Sequence, residues 1–268
     1  NIRTKDFDWS TDLTYSYTKT KIKDVLSQAN VIGLVYNSGS NIRKGYPHRS
    51  IFSIPFVGLN DEGIPQVINE KGEVTTTDIN FQEYQNLGFL KYEGPTEPTM
   101  NGGLNNTLRY KNWRLNIFVT YSFGNKIRLD PTFSSSYSDM SAMPKEFKNR
   151  WVMPGDEKIT SIPAIASVRQ YYNDTQLSFA YNSYNYSTER IADGGFIRLK
   201  DVSLTYDVPR SFLSKIGLST AAIKLDATNL CLLYADDKLN GQDPEFVNSG
   251  GVATPLSKQF TLTVRLGL

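Results

Sequence analysis

Few side chains in this 268-residue chain are of types that break or make bonds. There is one histidine, His48, and one cysteine, Cys231. His48 lies in the turn-like stretch Gly45-Tyr-Pro-His-Arg49. A general base needs a partner and a substrate proton within reach, and nothing in the neighbouring sequence supplies either. One cysteine cannot form an internal disulfide or build a thiolate metal site. The carboxylates are scattered. Asp236, Asp237, Asp243 and Glu245 are oxygen ligands of the kind Ca²⁺ takes, but their spacing is not that of an EF-hand loop. A solvated loop with a turn starting at Asp243-Pro244 is expected there. The reading is therefore of a protein that is not an enzyme, with no catalytic residues, no metal and no cofactor. Binding chemistry is better represented. Tyr171, Tyr172, Tyr181 and Tyr184, with Tyr186 nearby and Trp151 upstream, form an aromatic-rich stretch. Aromatic faces stack on sugars and extended peptides, and tyrosine adds a hydroxyl at low entropic cost. The five residues Tyr171, Tyr172, Tyr181, Tyr184 and Trp151 are the candidate substrate contacts. Loop packing or a membrane-interface girdle is the competing role for the same rings.

The elements that must position these rings are strands. Over residues 7–18, Phe7, Trp9, Thr11, Leu13, Tyr15 and Tyr17 share one phase, and Asp8, Ser10, Asp12, Thr14, Ser16 and Thr18 share the other. Twelve residues of strict alternation exceed an ordinary strand of about 5–6 and match the about 9–11 needed to cross a bilayer. A hairpin follows. Met100, Gly102, Leu104, Asn106, Leu108 and Tyr110 alternate up to a tight Lys111-Asn112 turn. Trp113, Leu115, Ile117, Val119, Tyr121 and Phe123 alternate away from it. Tyr110 and Trp113 flank the turn, where an interfacial girdle would lie. Further strands are read at residues 196–206, 223–228 and 260–268, the first with a phase slip at Lys200-Asp201 that predicts a β-bulge. Arg109, Arg114, Lys224, Asp226 and Arg265 fall on the polar phase. The glycine pairs Gly102-Gly103 and Gly194-Gly195 are expected to serve curvature or a bulge.

Connections are unequal. Lys111-Asn112 is short, and residues 208–219 are moderate, with a helical turn expected over 211–216. Residues 124–193 and 230–258 are long and rich in Gly, Pro, Asn, Ser and Tyr, with a short helix expected at 141–151. Short turns at one end and long loops at the other are typical of outer-membrane barrels. The mean hydropathy of −0.39 does not argue against this, because only alternate residues of a barrel strand face lipid. No run of about 18 apolar residues exists, so no transmembrane helix is expected. The net charge of +2 predicts no strong overall field for nucleic acid or anionic lipid. Alternating strands also build soluble β-sandwiches with one wet face, so pattern alone leaves both open.

Longer motifs decide between them. Asp193-Gly-Gly-Phe-Ile-Arg-Leu-Lys-Asp-Val-Ser-Leu-Thr-Tyr-Asp-Val-Pro209 resembles the hallmark run of the SusC/RagA family of TonB-dependent outer-membrane transporters. Ile223-Lys-Leu-Asp-Ala-Thr-Asn-Leu230 and Gly241-Gln-Asp-Pro-Glu245 follow in the family's order. Upstream, residues 94–111, Tyr46-Pro47, Ile51-Phe52, Phe56-Val-Gly-Leu59 and Arg150-Trp151 with Pro154-Gly155-Asp156 are similar to further stretches. The resemblance implies an all-β fold: residues 1–268 as an antiparallel transmembrane β-barrel segment, the last third or so of a 22-stranded TonB-dependent receptor barrel, with long extracellular loops. It implies import of a bulky nutrient, a glycan or an oligopeptide, across the cell outer membrane. A SusD-like surface lipoprotein would sit over the loops, outer-membrane lipid would surround the wall, and TonB would act through a plug. The plug domain and TonB box are not among these residues, and no signal peptide opens the chain, so a fragment is expected. The family ends on an aromatic residue where this chain has Leu268, read as a tolerated variant or slight truncation. A surface-attached or soluble carbohydrate-binding β-sandwich is the alternative. An outer-membrane enzyme barrel stands third, disfavoured by the lone histidine.

Overall fold

The computed structural model describes residues 1–268 except 28, 37–41, 138–139, 141, 216, 248–255 and 268. Six long strands form its frame: β1 (Phe7–Tyr17), β2 (Met100–Tyr110), β3 (Trp113–Phe123), β4 (Phe196–Asp207), β5 (Thr220–Tyr234) and β6 (Gln259–Gly267). They lie side by side in chain order in one antiparallel sheet, with Ile2–Arg3 as a short addition beside β1. At about 3.3 Å per residue, eleven residues span about 36 Å, enough to cross a bilayer at a barrel strand's tilt.

Register explains the alternation. Phe7, Tyr110, Trp113, Tyr206, Ile223 and Val264 stand in one cross-strand row. The next row on the same face is Trp9, Leu108, Leu115, Leu204, Leu225 and Leu262. At the far end the face carries Tyr15, Gly102, Tyr121, Ile197 and Tyr234. This apolar face is the uncovered one: Leu13 is 67% exposed, Leu225 55% and Leu262 64%. A sandwich buries its apolar face against a second sheet, whereas a lipid-facing wall presents it outward. Aromatic rings cluster at both ends of the face. Trp113 and Tyr206 meet at 4.6 Å at the turn end, and Phe123 lies 6.1 Å from Tyr121 and 6.2 Å from Tyr234 at the other.

The opposite face is polar. Asp8, Arg109, Arg114, Thr205, Lys224 and Thr263 share one row. Arg109 and Arg114 stand directly opposite each other, and acids flank them: Arg114 pairs with Asp207 at 3.6 Å, and Asp8 sits opposite Arg109. The wall thus balances its charge within the sheet.

The predicted bulge is present. Lys200 is skipped in the pairing of β4 with β3, and opposite it β5 carries an extra residue at Asn229, whose φ is 54°. The glycine pair is different: β1, β2 and β3 pair through Gly102-Gly103 without a register shift. Its purpose is room for rings. Tyr121 lies over Gly102 on the lipid face and Phe118 over Gly103 on the polar face. A Cβ at Gly102 would collide with Tyr121 and the Thr14 carbonyl. The bulge expected at Gly102-Gly103 is therefore absent, and the pair gives room for the two rings.

The turns differ as anticipated. Lys111-Asn112 closes β2 to β3, with Lys111 at φ 51°. A four-residue helix, Arg210–Leu213, occupies the connection from β4 to β5. It is the part of the expected 211–216 turn that is described up to Leu213, and Ile216 lies outside the described residues. The expected helix at 141–151 is a shorter 3₁₀ turn, Lys145–Asn149, and Ser141 lies outside the described residues. Three long connections, from β1 to β2, β3 to β4 and β5 to β6, leave from the same end.

Candidate functional site

The long connections do not trail as loops; two of them and the start of the third fold into a cap with cores of their own. The first holds α1 (Val31–Tyr36), a three-stranded sheet of Phe56–Leu59, Pro65–Ile68 and Val74–Thr75, and the strand pair Ser50–Ser53 with Lys91–Pro95. The second holds α2 (Val168–Asn173) and α3 (Leu177–Asn185), and pairs Lys126–Arg128 with Ile191–Asp193. Val31, Leu34, Phe52, Ile54 and Val67 pack with Tyr186 in one core, so the first and second connections share it. Each aliphatic side chain buried this way contributes about 1.5–3 kcal/mol, enough in sum to fix the cap's shape.

The candidate aromatics fall into separate environments. Tyr181 and Tyr184, one turn apart on α3, are each 1% exposed and pack with Leu177, Ala180, Ile64 and Phe133. Tyr181 donates its hydroxyl to the Ala164 carbonyl at 2.7 Å. The Tyr184 ring meets Phe133 edge-on at 5.0 Å and Phe56 at 5.5 Å. Burial pushes both phenols well above the usual tyrosine range. These two rings have no surface to offer a ligand, and the stacking role read for them is corrected to cap packing. Helical spacing on an amphipathic α3 turned them inward. Trp151 is half-buried: its indole lies against Gly63, where a Cβ would collide with it, and its Nε1 donates to Glu157 at 3.2 Å. Tyr171 and Tyr172 stand on α2, whose start is fixed by a capping box between Ser167 and Gln170. They meet edge-on at 5.7 Å and are exposed, Tyr172 to 77%.

A further aromatic surface was not readable from spacing. Ile32, Tyr36, Phe81, Asn182 and Tyr186 line a shallow hollow of about 260 Å³. Tyr36 meets Tyr186 edge-on at 5.8 Å, and Phe81 lies 6.0 Å from the exposed Phe179. Its lining comes from three separate chain segments. The sole hint in the sequence was Tyr186 beside the other tyrosines.

Charged residues hold the cap to the wall. Arg198, on β4, donates from Nη2 to both oxygens of Asp243, at 2.6 and 2.8 Å, and pairs with Glu245 at 3.2 Å. Both Arg198 and Asp243 are buried. Asp243 is thus withdrawn from solvent, while Asp237 and Glu245 are exposed as a solvated loop would have them, and the expected turn is present: Asp243 accepts from the backbone of Glu245 and Phe246. Asp236 caps a 3₁₀ turn through Lys238 N and also accepts from Asp193 N at 2.6 Å. Arg128 donates to the Phe52 carbonyl at 2.6 Å, and burial pushes its guanidinium down to about 10 against the counter-pull of Glu93. Arg190 joins Glu146 and lies 4.8 Å over the Phe133 ring. Among the described residues no group of three His, Cys, Asp or Glu side chains could hold a metal ion. His48 is exposed.

On the polar face of the sheet, a recess of about 370 Å³ is lined by Thr107, Arg114, Asn116, Asp201, Lys224 and Arg265 among others. Arg114, Lys224 and Arg265 were read from phase alone. Lys224 pairs with Asp226 at 3.1 Å.

A sheet of bilayer-crossing strands with its apolar face outward and a folded cap on one end defines the wall of an outer-membrane β-barrel. Comparison with known proteins refines the class. No family model matches the chain. TonB-dependent receptor P3 of Formosa agariphila is 25% identical over 277 residues, covering 91% of this chain and 24% of the relative. TonB-dependent receptor P26 of the same organism is 27% identical over 266 residues, covering 93% and 25%. The chain spans about a quarter of the length of these curated relatives. Among solved structures, the RagAB peptide transporter superposes with a TM-score of 0.72 at 21% identity over 99% of this chain and 27% of that one. The RagAB peptide importer in its 'closed-closed' state gives 0.70 at 22% identity. The resemblance to SusC/RagA-type TonB-dependent receptors is borne out, in sequence by the receptors and in fold by RagAB, and the chain is an outer-membrane barrel segment.

Proposed function

We propose that this chain forms part of the wall and the extracellular cap of an importer that takes a bulky nutrient, a glycan or an oligopeptide, across the outer membrane. One observation carries the reading: the sheet's apolar face is uncovered and bordered by aromatic rings at both ends, while three long connections leave one end, two of them folded into a compact cap. Lipid contact accounts for the first feature, and recognition of a solute above the lumen accounts for the second. Among the described residues the sheet does not close on itself, with the short Ile2–Arg3 strand beside β1 at one margin and β6 at the other. Open edges are not viable in hydrocarbon, so other strands of a larger barrel flank it. The polar face lines the lumen. TonB acting through a plug is in keeping with the name TonB-dependent receptor that the relatives carry, and a SusD-like lipoprotein over the cap completes the scheme. The exposed rings Tyr171 and Tyr172, and the hollow of Tyr36, Phe81 and Tyr186, supply the substrate contacts, while Trp151 packs against Gly63 within the cap.

The test replaces Tyr171, Tyr172 and Phe81 with Ala in the full-length protein and measures uptake of labelled oligopeptides and oligosaccharides by cells. Uptake of one substrate class falls at least about tenfold, since each lost stacking ring costs about 0.5–1.5 kcal/mol, while surface expression is unchanged. Undiminished uptake at equal expression would remove these rings from the binding role.

A further inference from the structure

Beyond Tyr17, where β1 ends, the chain enters a stretch whose charges are of one sign as far as Lys23. Beyond Leu13, Tyr15 and Tyr17, the same alternate positions hold Lys19, Lys21 and Lys23. Thr18 N still bonds the Thr99 carbonyl at 2.9 Å, extending the ladder of β1 with β2. Further on, Ile22 exchanges backbone bonds with Tyr46 and Gly45, at 2.9 and 3.0 Å, and is partly covered. Lys21 and Lys23 on either side of it are exposed, as is Lys19. None of the three has an ion pair among the described residues; the nearby Asp24 pairs with Lys44 at 3.3 Å. Two residues of extended chain advance about 7 Å, so the three lysine positions lie about 7, 13 and 20 Å of chain beyond Tyr17.

A lysine run is most often a solvated face. Here its position argues otherwise. The three lysines follow, along the chain, the rings that mark the membrane interface, on the long-loop side, which is the outer-leaflet side for an outer-membrane barrel. The short-turn end has no such bias: Lys5 and Lys111 are accompanied there by Asp6 and Asp207. Long lysine stems reach from an apolar surface to the headgroup layer.

Resting on the outer-membrane reading, we propose that Lys19, Lys21 and Lys23 form a binding ladder for the phosphates of an anionic glycolipid in the outer leaflet. The lipid's acyl chains would lie along Leu13 and Tyr15, and its phosphates against the ammonium row.

The experiment uses the full-length protein in neutral detergent and follows the temperature at which its compact, fast-migrating form is lost. The probes are lipid A bearing two phosphates and the same lipid with both removed. The expected result is stabilisation by the phosphorylated lipid alone, with apparent affinity reduced about tenfold or more in a Lys19→Gln, Lys21→Gln, Lys23→Gln variant. The corresponding triple Arg variant keeps the response. Equal responses of the wild type and the Gln variant, stabilisation by the dephosphorylated lipid, or no response at all would overturn the ladder. A parent protein that lacks heat-modifiable migration and is absent from the outer membrane would overturn the membrane reading itself, a distinguishable result.

Discussion

Gly102 and Tyr121 illustrate how single positions carry this wall. They face each other across β2 and β3, and the tyrosine ring fills the space a side chain would occupy. Its hydroxyl then crosses β2 to donate to the Thr14 carbonyl on β1 at 3.1 Å, so one side chain ties three strands. Replacing Gly102 with Ala forces the ring and the backbone apart, and such overpacking costs about 1–3 kcal/mol. Tyr121→Phe keeps the ring and loses one hydrogen bond, about 1 kcal/mol. The expected order of thermal stability on an unboiled gel is wild type, Tyr121→Phe, Gly102→Ala. A Gly102→Ala protein as stable as the wild type would show that the ring packs elsewhere. Asn106 is a second case. It lies on the lipid face, where an amide is costly, and its oxygen is satisfied by Trp9 Nε1 at 3.1 Å and Thr11 Oγ1 at 2.7 Å.

At the scale of elements, the strands were legible and the cap was not. β2 and β3 run over the residues their alternation marks, because a face against lipid demands an apolar residue at every second position. β5 was read only as 223–228. It runs Thr220–Tyr234, since the bulge at Asn229 breaks its phase. Residues 124–193 read as loop because their helices are short and their glycines, prolines and asparagines mimic turn chemistry. What orders them is tertiary: Tyr181 and Tyr184 look like binding residues until Phe133 and Phe56, far away in sequence, close over them. Asp243 is similar. Its neighbours suggested solvent, and its partner Arg198 lies 45 residues away. That pair ties the connection after β5 to the body of the sheet, and it links two of the sequence motifs physically. Asp243→Ala leaves a buried guanidinium whose main partner is gone, a change that costs about 3–5 kcal/mol. The expected readout is rapid proteolytic cleavage within residues 235–247 while the strands remain protected. Cleavage at the wild-type rate would mean that Arg198 does not hold this connection.

For the whole molecule, the decisive asymmetry is between the two faces of one sheet, and adjacent residues test it. Ile117 and Asn116 are neighbours at the middle of β3, facing opposite sides. Ile117 pairs with Asn106 and Val202 on the face assigned to lipid, and Asn116 accepts from Thr107 Oγ1 at 2.9 Å on the face assigned to the lumen. An arginine near the bilayer midplane on the lipid face of a barrel costs about 2–4 kcal/mol, whereas a polar lumen hydrates it. Ile117→Arg is therefore expected to lower the melting point of the compact form and reduce outer-membrane assembly. Asn116→Arg, which adds the same charge one residue away, is expected to cost little more than the lost hydrogen bond, about 1 kcal/mol. A soluble sandwich would give the same ranking only if a second sheet buried its apolar face, and no such sheet covers Ile117 among the described residues. Equal destabilisation by the two substitutions would mean that both faces are packed against protein, and the membrane assignment of the wall would fall with it.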